Sequence, residues 1–329
     1  VKIVDVAIKL AKLDALTKEQ IKEFMREARL MRNLEHANVI KFYGVAAGQE
    51  PLMLVMELAT DGALDTYLSR YENLPQAKRI EMTCQAAWGI EYLHTRNCLH
   101  RDVAARNCLY GNGQIKISDF GLSRIGETYQ MNPKNKVPIR WLSPETLQKA
   151  LYTRKSDVWS YGILIWEIFN NGVEPYPGKT TVEVLRFVKG GGHLEISNTC
   201  ENKGIAEVIE KKCFAKEQDD RYSMAQVVVD LEKATSIKMV KEEKASVMLS
   251  VMQSPNNTPL TSAKSLDNSD RKKEKEPGVT ATESRSEIRS VSRMPSVSNS
   301  TSNSASVGPS GLVTTKKRTK RKKRLAHFL

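Results

Sequence analysis

The sequence predicts an α+β fold in which a small, mostly β lobe precedes a larger, mostly α lobe. Short apolar runs that suit strands occupy much of residues 1–59, and longer helical patterns fill residues 60–234. From residue 235 to residue 329, Ser, Thr, Asn, Lys and Glu dominate. A segment of that composition cannot bury enough apolar surface to offset its chain entropy, so we expect a disordered, Ser-rich tail.

Three strands and one helix are expected in the small lobe. The strands are predicted at residues 4–10, 39–45 and 52–58. Thr17-Lys18-Glu19-Gln20 fits a capping box, which predicts the start of a helix. Apolar residues then recur at helical spacing, and Glu27 lies on the same stripe. Because a charge on a buried face needs a partner, we expect Glu27 to be paired.

The large lobe is expected to be mainly helical. Residues 62–68 begin the helical part, residues 76–94 form a long helix, and the pattern after Glu145 stays helical to about Ala234. Val158–Phe169 is the most apolar stretch of the chain, but it is too short to span a bilayer and is typical of a buried core helix. We therefore expect no transmembrane segment.

Charge and cysteine content narrow the class of protein. The five cysteines form no C-x-x-C pair and no zinc-binding spacing, which favours reduced thiols in a cytosolic protein. No secretory signal pattern opens the sequence. Of the net charge of +13, +2 falls in residues 1–234 and +11 in residues 235–329, so the lobes carry no broad nucleic-acid footprint.

Three short motifs occur in order along the large lobe. His100–Asn107 reads H-R-D-V-A-A-R-N, Asp119–Gly121 reads D-F-G, and Ser143–Glu145 reads S-P-E. The first matches the protein-kinase catalytic-loop pattern H-R-D-L-x-x-x-N with Val for Leu, the second is the metal-holding D-F-G, and the third stands in place of A-P-E. Charged surface turns would not explain why the first two motifs are embedded in apolar runs. The chain therefore resembles the protein kinases, and the resemblance implies their two-lobed fold.

The resemblance implies phosphoryl transfer from ATP with a divalent metal, Mg²⁺ or Mn²⁺. Asp102 would accept the proton of the acceptor hydroxyl, while Asn107 and Asp119 would hold the metal over the phosphates. Lys9 ends a V-A-I-K run, so it is expected to pair with Glu27 and to contact the ATP phosphates. Alternatively, Lys9 and Glu27 do not pair and are simply two solvated charges.

The same resemblance implies an adenine site between the lobes. Met56 occupies the gatekeeper place of the family. Glu57, Leu58 and Ala59 would form the hinge, and their backbone groups would contact adenine. Ala7 and Leu109 are similar to the apolar pair that sandwiches the base in kinases.

The residues after the catalytic aspartate separate two classes of kinase. Where Ser/Thr kinases usually carry Lys, this chain has Ala104, and Arg106 completes an A-A-R run that resembles tyrosine kinases. Pro138 and Trp141 lie in a segment similar to the platform that supports a tyrosyl substrate. Residues 1–234 as a whole resemble a Fes/Fer-like, non-receptor (cytoplasmic) tyrosine kinase domain.

Further residues take their expected roles from this family. Tyr129, the one tyrosine between the second and third motifs, resembles an activation-loop phosphosite whose phosphate would pair with Arg101 and Arg124. Alternatively, Tyr129 is merely an exposed tyrosine and not a phosphosite. Three residues are expected to have structural roles. Asp157 would hold the catalytic loop, and Glu145 would form an ion pair with Arg221.

The chain begins at Val1, directly before the strand that carries Lys9. Kinases cover the phosphates with a G-x-G-x-x-G loop, and we expect that loop ahead of this point in a longer, here truncated protein. One function is then an ATP-dependent protein-tyrosine kinase that phosphorylates signalling proteins. The alternative is a catalytically impaired, kinase-like interaction or scaffold protein that lacks the Gly-rich loop.

The tail ends in a basic run, Lys316–Arg324. Such a run is typical of nuclear import, of nucleic-acid contact or of binding to an anionic membrane. A solvated, solubilising tail is the alternative. We expect a cytoplasmic protein, with a nuclear or inner-membrane fraction if the run acts as a binding element.

Overall fold

The computed structural model describes residues 3–11, 17–47, 51–132 and 137–239. Over these ranges, helices are combined with small antiparallel sheets, which confirms the predicted α+β class. The predicted disorder of the tail beyond residue 239 and its basic run lie outside the described residues. The lobe boundaries at residues 1–59 and 60–234 stay predictions.

An antiparallel sheet and one helix make up the small lobe. The strands, in the spatial order β1-β3-β2, are β1 (Val6–Ala11), β2 (Phe42–Ala46) and β3 (Leu52–Glu57). Helix α1 (Lys18–Met31) begins at the predicted capping box. There the Thr17 hydroxyl accepts the Gln20 N–H, and the Gln20 side chain accepts the Thr17 N–H.

The second strand begins later than its sequence predicts, at Phe42. The residues before it bond to the large lobe instead: Val39 forms a parallel bridge with Ile117, and the Ile40 N–H donates to the Ile117 carbonyl over 2.9 Å. The Ile117 N–H donates in turn to the Asn38 carbonyl over 2.8 Å. Because buried backbone groups must be paired, these bonds replace a ladder within the small sheet.

Helices dominate the large lobe. They are α2 (Leu64–Arg70), α3 (Gln76–Thr95), α4 (Pro144–Lys149), α5 (Arg154–Phe169), α6 (Thr181–Lys189), α7 (Lys203–Glu207), which a π-helical turn (Val208–Cys213) continues, and α8 (Met224–Thr235). From Ser156 to Phe169 every residue of α5 is buried, which confirms the predicted core helix. Across the described ranges, no helix has both the length and the hydropathy that a membrane crossing requires.

Short strands join these helices. They are β4 (Gly62–Ala63), β5 (Cys98–Leu99), β6 (Cys108–Gly111), β7 (Gln114–Ile117), β8 (Arg124–Ile125), β9 (Thr128–Gln130) and β10 (Leu151–Thr153). β6 pairs with β4 and β7, β5 with β8, and β9 with β10. β10 interrupts the helical run predicted after Glu145, because Ala150 adopts a left-handed conformation (φ 55°) that ends α4.

Candidate active site

An ion pair joins β1 to α1. The Lys9 Nζ lies 3.0 and 3.1 Å from the two carboxylate oxygens of Glu27, and 3.5 Å from Oδ1 of Asp119. The Lys9 and Glu27 side chains are 34% and 6% exposed, so they are not two solvated charges. Burial alone would lower the pKa of Lys9, but the charges of Asp119 and Glu27 outweigh it and raise that pKa. Lys9 is therefore held as a cation beside Asp119.

Bonds within a single turn order the catalytic-loop residues. Asp102 precedes a 3₁₀ turn, Ala105–Asn107, and its carboxylate pairs with the Arg106 guanidinium. The side-chain amide of Asn107 donates to the Asp102 carbonyl over 2.8 Å. Arg106 places a positive charge beside the Asp102 carboxylate without enclosing it, since that side chain stays 15% exposed.

Asp157, on α5, holds the catalytic loop from the core side. Its two carboxylate oxygens accept the backbone N–H groups of His100 and Arg101 over 2.9 and 2.8 Å. The Nε2 of His94, at the end of α3, lies 3.1 Å from the same carboxylate. Burial would raise the pKa of Asp157, but the contact with His94 outweighs it and the pKa is lowered. Sequence reasoning assigned no role to His94. Its position in a long core helix was the feature of the sequence that could have indicated a buried partner.

Asp102 and Asp119 face a common cavity lined by both lobes. The cavity has a volume of about 560 Å³, and its lining includes Lys9, Glu27, Asp102, Arg106, Asp119 and Pro138. Asp119 has a φ of 58°, and its side chain is 40% exposed. The next residue, Phe120, is fully buried, edge-on to the His100 ring. This turn directs the carboxylate into the cavity and the phenyl ring into the core.

The predicted adenine contacts lie apart from the lining of this cavity. Ala7 on β1 stands opposite Met56 on β3, so these two residues share one region of the small sheet. Leu109 is half-buried on β6 of the large lobe. The three residues thus come from both lobes, and their adenine role stays a prediction.

The end of β3 and the segment after it, where we predict the hinge, are tied to the large lobe. Oε1 of Glu57 lies 2.8 Å from the Lys116 Nζ on β7, so the Glu57 side chain has a structural partner. Leu58 is 45% exposed, and the backbone at Ala59 packs closely on Gly111 of β6. A Cβ at Gly111 would lie 3.0 Å from the Ala59 Cα and 2.6 Å from the next backbone nitrogen, so this approach requires glycine.

Two guanidinium groups lie close to the Tyr129 ring. It belongs to β9 and stands opposite Tyr152 of β10. The guanidinium carbons of Arg101 and Arg124 lie 3.8 and 5.2 Å from the centre of the Tyr129 ring. The side chain is half-buried, so it is not a merely exposed tyrosine. Both cations that we expect to pair with a phosphate at this position already flank the ring.

Two further residues of α1 contact the segment after the D-F-G motif. Nη2 of Arg26 donates to the Gly121 carbonyl over 3.1 Å, and Oε2 of Glu23 lies 3.5 Å from Nη2 of Arg124. Sequence reasoning missed both residues, because charges on the outer face of a helix carry no sign of a distant partner. Helix α1 thus contacts this segment as well as Lys9.

The predicted substrate platform rests on a buried acid. Trp141 ends a 3₁₀ turn (Ile139–Trp141), and its ring centre lies 4.1 Å from the Arg106 guanidinium carbon. Pro138 precedes the turn and lines the cavity. Glu167 of α5 accepts the Trp141 indole N–H over 3.0 Å, and burial raises the pKa of Glu167 to about 7. Sequence reasoning assigned Glu167 no role, although a charge within the most apolar helix was a signal.

A second ion pair, outside the lining of the cavity, joins α4 to the segment before α8. The Arg221 guanidinium donates to both carboxylate oxygens of Glu145, over 2.7 and 3.0 Å. The Arg221 side chain is 0% exposed and also donates to the carbonyls of Ala215 and Lys155. Burial would raise the pKa of Glu145, but the bonds to Arg221 outweigh it and lower that pKa.

A two-lobed fold and a cavity that gathers a paired lysine and two aspartates are typical of the protein-kinase class. The family model of protein tyrosine and serine/threonine kinases matches residues 2–231, and the chain belongs to that family.

Two named kinases are similar to about two thirds of the chain. Over 221 residues it is 39% identical to Fer-related kinase 1 of Caenorhabditis elegans, an alignment that covers 67% of this chain and 56% of that protein. Over 230 residues it is 37% identical to Tyrosine-protein kinase Fer of Homo sapiens. That alignment covers 69% of this chain and 28% of the human protein. The predicted resemblance to Fer-like kinases is confirmed, over a chain that spans only part of the length of these relatives.

Proposed function

We propose that the chain is an ATP-dependent, non-receptor protein-tyrosine kinase, which transfers the γ-phosphoryl group of ATP to tyrosine residues of signalling proteins. The convergence of Lys9, Asp119, Asp102 and Arg106 on one cavity is the observation that carries the proposal. Catalysis of phosphoryl transfer depends almost entirely on positioning and on charge. Two carboxylates held beside two cations supply both.

The proposal gives each side chain one task. Asp102 accepts the proton of the acceptor phenol, and Arg106 orients the Asp102 carboxylate. Lys9, fixed by Glu27, contacts the phosphates of ATP. The base of ATP is assigned to the region between the lobes, where its contacts would be Ala7, Met56, Glu57, Leu58, Ala59 and Leu109.

The donor atoms at the cavity suit a hard divalent cation. Asp119 turns a 40% exposed carboxylate into the cavity. Asn107 does not line the cavity, but its side-chain amide bonds to the backbone of Asp102, which does, and its side-chain oxygen is a further candidate ligand. Mg²⁺ and Mn²⁺ both prefer oxygen ligands. We assign the cation to Asp119 and Asn107. When bound, it neutralises charge on the phosphates.

Tyrosine acceptors are expected to be strongly preferred over serine acceptors. Ala104 stands where Ser/Thr kinases usually carry Lys, and Pro138 and Trp141 offer an apolar surface to a phenol ring. We expect a tyrosyl peptide to be phosphorylated about a hundredfold faster, in kcat/KM, than the matched seryl peptide. The full chain is assayed on both peptides with ATP and either cation. Equal rates would contradict tyrosine specificity, and transfer to neither peptide would contradict the kinase proposal.

Tyr129 is proposed as an autophosphorylation site that orders the segment around it. Its phosphate would form charge-assisted bonds with Arg101 and Arg124, which flank the ring. Tyr129→Phe keeps the ring but removes the acceptor oxygen. We therefore expect loss of phosphate from this segment and activity lower by about tenfold, the equivalent of one charge-assisted hydrogen bond. Phosphopeptide mapping checks this, with the exposed Tyr43→Phe as control; an active sample with unmodified Tyr129 would count against it.

The basic run Lys316–Arg324, outside the described residues, is proposed to contact an anionic membrane or a nucleic acid, or to serve nuclear import, in a protein that is otherwise cytoplasmic. Deletion of residues 311–329 is expected to leave peptide phosphorylation unchanged. It should abolish binding to anionic vesicles or to nucleic acid, and the parent's binding should fall steeply with salt. If the full chain binds neither and its cellular distribution is unchanged by the deletion, the run is only solubilising.

A further inference from the structure

Glu167 is a buried acid that contacts two separate parts of the proposed site. It lies on α5 and is 3% exposed. A single carboxylate oxygen, Oε2, accepts the Trp141 indole N–H and the Ala105 backbone N–H, each over 3.0 Å. Trp141 belongs to the platform segment and Ala105 to the catalytic loop. One atom therefore links the segment proposed to support the acceptor to the loop proposed to deprotonate it.

Packing alone does not require an acid at this position. Burying a carboxylate costs free energy that two neutral N–H donors only partly offset. An apolar side chain would avoid that cost, but it would leave the Trp141 and Ala105 donors without this acceptor. Glu167 thus supports the geometry of two segments at some expense to stability, which is typical of functional sites.

The link continues to the proposed catalytic base. Arg106 directly follows Ala105, and its guanidinium carbon lies 4.1 Å from the centre of the Trp141 ring. The same guanidinium pairs with the Asp102 carboxylate. Arg106 therefore belongs to one of the two segments that Glu167 contacts, and its guanidinium lies close to Trp141 of the other. A shift of Trp141 relative to Ala105 would move the platform relative to Arg106 and to the Asp102 carboxylate with which Arg106 pairs.

We propose that Glu167 is a positioning residue that sets the distance between the acceptor platform and Asp102. This inference rests on the proposed kinase function and adds to it a residue that the motifs do not mark. Loss of the two bonds should impair transfer to a peptide, whose hydroxyl must meet Asp102. It should leave ATP binding and ATP hydrolysis intact, because water needs no platform.

The test compares two substitutions of Glu167 in the full chain. Glu167→Gln retains an oxygen that can accept both N–H donors, whereas Glu167→Leu retains none. We expect Glu167→Leu to lower kcat on a tyrosyl peptide by about tenfold or more, with the KM for ATP and the rate of ATP hydrolysis within about twofold of the parent. Glu167→Gln should keep kcat within about threefold of the parent. An equal loss of peptide transfer and of ATP hydrolysis would overturn the inference.

Trp141→Phe provides a second variant in case Glu167→Leu does not fold. It keeps an aromatic ring for Arg106 and removes the indole N–H together with one of the two fused rings, so Glu167 still accepts from Ala105. We expect a smaller loss of peptide kcat, about threefold. Parental kcat in a folded Trp141→Phe protein would overturn the inference.

Amide hydrogen exchange supplies a readout that does not depend on activity. Loss of the acceptor should raise exchange in both linked segments, residues 100–110 and 137–142, in Glu167→Leu but not in Glu167→Gln. Unchanged exchange in both segments of Glu167→Leu would overturn the inference even for an inactive parent. If the parent is inactive but Glu167→Leu shows raised exchange, the result would contradict the proposed kinase function and would still support the link between the two segments.

Discussion

Replacing Asp102 by Asn is expected to lower phosphoryl transfer to a tyrosyl peptide by at least about a hundredfold. An amide cannot accept the proton of the acceptor hydroxyl, and it also removes the charge that pairs with Arg106. The fold should persist, because the Asn107 side chain bonds to the Asp102 backbone carbonyl and not to its carboxylate. Peptide phosphorylation and thermal unfolding are measured on the same preparations.

A matched control separates the role of Asp102 from loss of charge alone. Asp230, on the surface of α8, pairs with Lys233 outside the cavity. Asp230→Asn removes the same charge and should leave transfer at the parental rate. Turnover of Asp102→Asn within a few-fold of the parent would show that Asp102 is not the base.

Arg221→Met is expected to lower the free energy of unfolding by about 3–5 kcal/mol. The substitution leaves the Glu145 carboxylate, which is 11% exposed, without its cation. It also leaves the carbonyls of Ala215 and Lys155 without the Arg221 donor. Chemical denaturation of the parent and the variant measures the difference. The double variant Arg221→Met/Glu145→Gln should recover part of the loss, because it removes the uncompensated charge.

The pH dependence of this loss follows from the direction of the Glu145 pKa. Arg221 holds the pKa of folded Glu145 below its usual range, so the pair stabilises the fold above the unfolded carboxyl pKa of about 4.3. That contribution disappears as the pH falls through the lower, folded pKa. The difference between parent and Arg221→Met should therefore be largest near neutral pH and shrink on acidification. A difference that is the same at neutral pH and in acid would contradict this account.

Sequence reasoning succeeded where neighbouring residues decide the structure. The capping box at Thr17 predicted the start of α1, since both of its bonds form within one turn. The apolar stripe along α1 showed that Glu27 would be buried and would need a partner, and the kinase-like run around Lys9 identified one. Even the burial of α5 could be predicted, because it contains the most apolar stretch of the chain, Val158–Phe169.

Contacts between residues that are far apart in the sequence could not be predicted in the same way. Glu167 accepts from Ala105 across a separation of 62 residues, and Glu23 meets Arg124 across 101. Such contacts depend on how α5 lies beneath the catalytic loop and how α1 lies against the next segment, and no local spacing encodes that. Val39 shows the same limit: its apolar run suits a strand, but tertiary packing paired it with Ile117 instead.

The bonds that join Asn38 and Ile40 to Ile117 fasten the segment between α1 and β2 to the large lobe. The fastening is tight, since a Cβ at Gly89 would lie 2.7 Å from the Asn38 carbonyl. Helix α1 is therefore followed by a segment that bonds to the large lobe, while its Glu27 pairs with Lys9 of the small sheet. The Lys9–Glu27 ion pair thus depends on the placement of both lobes, and not on the small sheet alone.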